Sequence, residues 1–66
     1  MIQKLEAIRR VMEATGLGEW TVSKRFDLLE VQGIITIISS PSDKRVKLVS
    51  EQDVEKVIKS LSLPQS

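Results

Sequence analysis

Cysteine, histidine and tyrosine are all missing from this 66-residue chain, and Trp20 and Phe26 are its only aromatic residues. Without cysteine there is no disulfide framework and no thiolate metal site. Without histidine the chain lacks the commonest general base and the commonest metal ligand. Catalysis would have to rest on carboxylates or lysines, and no pair of these is forced together by spacing. No enzyme activity, cofactor, metal or small-molecule ligand is therefore expected. Long apolar runs are lacking too: the longest, residues 34–38, is interrupted by Thr36 and is far too short to cross a bilayer. The N-terminal MIQKLEAIRR mixes charged and apolar residues and has no signal-peptide core. The expected location is cytoplasmic.

What is present is enough for one small domain. A chain this short buries only about 60% of the surface its unfolded form exposes, and with two aromatics the core has to be aliphatic. The expectation is a single domain over residues 1–62 and a disordered tail over 63–66. Net charge is only +1, a weaker basic excess than most small DNA-binding domains carry. Any attraction to an anionic partner must therefore come from local clustering of cations.

Met1, Leu5, Ile8 and Met12 recur at helical spacing with Val11 beside them, which predicts a first amphipathic helix running to about Thr15. Gly16 suits the left-handed position that ends a helix, and Leu17 can pack under the turn. Gly18 is a tolerable N-cap for the next helix, whose first turn holds Glu19. Val22, Phe26 and Leu29 share the core face of that helix, and Gly33 stops it. Residues 34–38 (IITII) read as a strand. Residues 39–44 carry turn chemistry in Pro41, Ser42 and Asp43. Residues 45–50 (RVKLVS) alternate, Val46 and Leu48 one way, Arg45 and Lys47 the other. Ser50 to Asp53 resembles a capping box. Val54, Val57, Ile58 and Leu61 form the stripe of a last helix, with Pro64 marking its end. The fold class is α+β, in the order α-α-β-β-α with a two-stranded antiparallel hairpin.

The segment GLGEWTVSKRFDLLEVQGII resembles the turn and recognition helix of many bacterial and archaeal regulators, whose pattern is GLSxxTVSxxLxxLExxGLI. The following SSPSDKRVKLVS is similar to the DxRxxxVS wing of the multiple-antibiotic-resistance-regulator (MarR) family. The likeness covers roughly residues 11–50, and it implies a winged helix-turn-helix that binds double-stranded DNA as a nucleoid-associated transcriptional regulator. It also implies that Arg45 enters the minor groove with Asp43 orienting it. Independently of the family, an arginine on a hairpin tip suits the negative potential of a narrow minor groove. A groove-bound helix presents its N-terminal residues to base edges while its apolar face stays on the core. Thr21, Ser23 and Lys24 are thus candidates for bases or phosphates, and the backbone at Gly18 for a phosphate. Lys44 and Lys47 are candidates for phosphates, against the alternative of solvated charges that keep a hairpin soluble. Arg9 and Arg10 are weaker phosphate candidates, since an exposed helix face explains them equally well.

Two residues depart from the family pattern. Trp20 stands where a small or polar residue is usual, and three readings stay open for it: a DNA contact, a patch over a missing helix, or an anchor for a protein partner. Glu19 places an acid where phosphates would approach. Full members of the family carry further helices at both ends that build a dimer. Here the preceding helix reads as absent or fused into the first, so the chain is expected to be either a minimal standalone version or a domain cut from something larger. Leu28, Val31 and the isoleucines at 34, 35, 37 and 38 form an apolar surplus that points to a homodimer, unless the last helix covers it. The rival to DNA binding is a winged helix whose same surface binds protein within a larger assembly. DNA binding requires Lys24 and Arg45 to project from the same side of the molecule.

Overall fold

Gly16 and Gly33 punctuate the chain, both at positive φ (74° and 76°), where a side chain would be strained. The computed structural model describes residues 1–62; the expected tail at 63–66 lies outside them. Before Gly16 comes helix α1 (Lys4–Thr15), and the Gly16 N–H closes its end by donating to the Met12 carbonyl at 2.7 Å. Gly18 is the N-cap of α2 (Glu19–Val31). At the far end of α2, the Gly33 N–H donates to Glu30 O at 3.0 Å and the Ile34 N–H to Leu29 O at 2.9 Å. This paired closure is the Schellman arrangement, and it folds Ile34 back toward the last turn of α2.

The described residues form a small α+β domain of three helices and one three-stranded antiparallel sheet. Two short strands, β2 (Ile37–Ser39) and β3 (Lys47–Val49), flank a tight turn, and α3 (Glu51–Ser62) follows. The expected order α-α-β-β-α omits one element. Residues Ile2–Gln3 form β1, which pairs with β3 so that β3 is the central strand of the order β1-β3-β2. The two-stranded hairpin is therefore one part of a larger sheet. Met1 stands at helical spacing from Leu5, but Ile2 and Gln3 pair with Val49 and Leu48 and do not extend the helix. A lone hairpin is only marginally stable, and the third strand shields the exposed edge of β3.

Ile2, Val49 and Ile37 lie opposite one another across the three strands, and Val49 is fully buried there. The next row, Gln3–Leu48–Ile38, faces outward. The expected alternation sets Val46 and Leu48 apart from Arg45 and Lys47, but it is Val49, two residues after Lys47, that reaches the core, with Val46 and Leu48 only half-buried. The buried face of α1 is likewise rotated from expectation. Ala7, Ile8 and Val11 are buried, whereas Met1 and Leu5 are exposed. These residues join Val22, Phe26, Leu29, Ile35, Val49, Val54 and Val57 in one core, with Phe26 as its largest fully buried side chain. Leu17 stays more exposed than a residue packed under its turn would be.

Asp53 connects the strands to α3. Its backbone N–H donates to Ser50 Oγ at 3.1 Å, the expected half of a capping box. Its carboxylate does not complete the box. Oδ2 accepts the Thr36 N–H at 3.1 Å, and Oδ1 lies 3.5 Å from Lys56 Nζ. The approach to β2 is thus pinned to the first turn of α3. No helix among the described residues is long and apolar enough to cross a membrane.

Candidate nucleic-acid interface

The turn between β2 and β3 is closed by its own short polar side chains. The Ser40 N–H donates to Val46 O at 2.8 Å, and the Val46 N–H to Asp43 O at 3.0 Å. Ser42 N–H donates to Ser40 Oγ at 3.3 Å, as small hydroxyl residues do in turns. Asp43 then organises the residue that follows it by two. Its Oδ1 accepts the Arg45 backbone N–H at 2.9 Å and the Arg45 Nε–H at 3.4 Å. The Arg45 side chain is nevertheless 91% exposed, so its remaining donors point to solvent. Lys47 Nζ donates to Ser39 Oγ at 3.1 Å across the strand pair.

A cleft of about 330 Å³ separates this turn from α2. Glu19 and Ser23 line it from α2, Arg45, Val46 and Lys47 from the turn and β3, and Gln3, Lys4, Leu5 and Ile8 from the N-terminal segment. Of the expected site residues, Ser23, Arg45 and Lys47 meet there; Gly18, Trp20, Thr21, Lys24 and Lys44 are not among its walls. Gly18 and Thr21 lie exposed at the start of α2. Lys24 sits one turn after Trp20 on the outward side, its Nζ 5.6 Å from the indole centroid, within range of a cation–π contact. Trp20 is 72% exposed, so it covers no gap in the core. Lys44 is exposed at the turn. Among the described residues, no carboxylate lies within ion-pair distance of Lys24, Lys44 or Lys47.

The two arginines of α1 fall on different sides. Arg9 borders a small groove with Leu5, Met12 and Glu19, next to the cleft. Arg10 turns to α3, 3.9 Å from Glu51 and 3.9 Å from Glu6. Sequence reasoning missed Lys4, which reaches over α2 to Asp27 Oδ1 at 3.3 Å and lies in the cleft wall. It carried no signal, because its position depends on β1 and not on helical spacing. Glu19 lines the cleft as well, and Asp27 holds Lys4. No three carboxylates among the described residues converge on a point that would hold a metal ion.

Comparison with known protein families, with curated proteins and with solved structures finds no match to this chain.

Proposed function

We propose that this chain is a winged helix-turn-helix DNA-binding module, a small transcriptional regulator of the kind its central segment resembles. In this reading α1 and α2 are the helix-turn-helix pair, α2 lies in the major groove, and residues 39–47 are the wing. The observation that carries the proposal is the cleft: Ser23 of α2 and Arg45 and Lys47 of the turn share its walls although they are far apart in sequence. A duplex laid along that opening would receive the N-terminal half of α2 in one groove and Arg45 in the next. Lys24, on the adjoining outward side of α2, and Lys44, at the turn, would take phosphates. Asp43 positions Arg45 by fixing both its backbone and its Nε. Ile38 and Leu48, facing outward from the sheet, are the residues that would serve a two-fold dimer on a palindromic site.

Salt dependence tests the proposal. If Lys24, Lys44 and Lys47 each neutralise one phosphate, log affinity falls with log salt at a slope of about −2.7, so a fourfold rise in salt weakens binding about 40-fold. Lys47→Ala should reduce the steepness by about 0.9 and weaken binding to all duplexes alike. A duplex affinity that barely responds to salt would end the reading.

A second reading keeps the fold and changes the partner. Trp20, Leu28 and Val31 leave the outward side of α2 unusually apolar, Val31 being 85% exposed, and Glu19 stands in the cleft itself. Those features favour a protein held against α2, and its affinity would be nearly indifferent to salt.

A further inference from the structure

We propose a second interaction surface, separate from the cleft: the groove between α2 and α3 receives an acidic amphipathic segment of a partner protein. Leu28, Leu29 and Ile34 form its apolar walls, and Arg25, Lys56 and Lys59 line it as well. Its volume is about 470 Å³. The Schellman closure of α2 creates it by turning Ile34 back beside Leu28, so both stay partly exposed, 46% and 44%. Three cations and no carboxylate line the groove, in a chain whose net charge is only +1. That one-sided charge identifies the occupant. A groove with an apolar floor and cationic edges between two helices suits a helix with one apolar face flanked by Asp and Glu.

Other occupants fit less well. A two-fold pairing of this surface with a second copy would set Arg25, Lys56 and Lys59 against their own counterparts. Nucleic acid would meet mostly apolar wall. Arg25 Nη1 already donates to Ser60 Oγ at 3.2 Å, and Lys56 Nζ to the Ile34 carbonyl at 3.3 Å. Lys56 Nζ also lies 3.5 Å from Asp53 Oδ1, so Lys59 and the Arg25 guanidinium, which keeps donors to spare, are the cations left for an occupant's carboxylates. None of the residues lining this groove lines the cleft, so DNA and the acidic segment can be held at once.

The test uses two labelled helical peptides with leucine at i, i+3, i+4 and i+7. One carries glutamate and the other lysine at the remaining positions, and binding is followed by fluorescence anisotropy. The glutamate peptide should bind the wild-type chain at least about tenfold more tightly than the lysine peptide. Lys59→Glu should abolish that preference, and Leu28→Ser should weaken binding of the glutamate peptide. Both variants should keep the wild-type circular dichroism spectrum and duplex affinity. Equal affinity for the two peptides, or none for either, would overturn the proposal. So would displacement of the peptide by duplex DNA, or self-association of the free chain that Lys59→Glu abolishes, which would make a second copy the occupant. Peptide binding of the expected kind by a chain that ignores duplex DNA would sink the DNA reading and leave this one standing.

Discussion

Replacing Asp53 by alanine should destabilise the domain by about 2 kcal/mol, a large share of the stability of so small a fold. Asp53 is buried, at 8% exposure, and is the one charged group so buried among the described residues. Its Oδ2 accepts the Thr36 N–H at 3.1 Å, and a hydrogen bond to a charged group contributes about 1.5–3 kcal/mol. Thr36 is exposed, so water can replace part of that bond and the lower half of the range applies. The contact with Lys56 adds little, because the lysine is 53% exposed and such ion pairs contribute only about 0–1 kcal/mol. A negative charge in the first turn of α3 adds about 0.3–1 kcal/mol through the helix dipole. Alanine returns up to about 0.7 kcal/mol in helix propensity. Asp53→Asn, which keeps an acceptor for Thr36 but loses the charge, should cost about half as much as Asp53→Ala. Urea denaturation followed by far-UV circular dichroism measures both, with the Tm expected to fall by roughly 10 °C for the alanine variant. A loss below about 0.5 kcal/mol for Asp53→Ala, the level of an unremarkable surface change, would refute the claim that this carboxylate pins β2 to α3.

Arg45→Ala should weaken duplex binding by about 1–3 kcal/mol and flatten any preference for A·T-rich flanks. Glu51→Ala and Arg10→Ala, on the α1–α3 side of the molecule, should leave binding nearly unchanged in the same titration. Asp27→Asn should tighten binding, since it removes an acid from α2 and releases Lys4; if Lys4 then reaches a phosphate, the salt slope steepens by about 0.9. Gly33→Ala should cost about 1–2 kcal/mol in chemical denaturation. Nothing lies within 4 Å of the position its Cβ would take, so the whole loss would come from the backbone conformation.

The helices were legible in the sequence wherever a local signal had no competitor. Gly16, Gly18 and Gly33 stand where helix ends require them, and Val22, Phe26 and Leu29 are buried as their spacing predicts. Ser50 caps α3 through a bond formed within four residues. What was not legible depends on partners far along the chain. Ile2 and Gln3 become a strand only because β3 offers them an edge, and nothing within two residues of them says so. The rotation of α1 follows from the same cause: with Ile2 held in the sheet, Ala7 and Val11 turn to the core and Leu5 is left in the cleft wall. The surplus isoleucines divide in a way the pattern IITII cannot express. Ile35 is core and Ile37 is half-buried against it, while Ile34 and Ile38 remain exposed.

The same distinction separates the two halves of the candidate interface. The turn's bonds are local: the family likeness implied that Asp43 orients Arg45, and Asp43 Oδ1 accepts the Arg45 backbone N–H at 2.9 Å. The relation of that turn to α2 is not local. It is set by β1 on one edge of β3, by Val49 in the core and by Asp53 holding the approach to β2. Arg45 and Ser23 share the walls of one cleft only while those three anchors hold, although none of them would touch DNA. Affinity for a duplex should therefore depend on residues in two ways. On the DNA reading, loss of Lys47 should change the salt slope and leave the fold intact, whereas loss of Asp53 should lower stability and weaken binding through the fraction of molecules whose turn is in place. Measured well below the Tm, the Asp53 variant should keep the wild-type salt slope, because the proposed phosphate contacts would survive in the folded molecules.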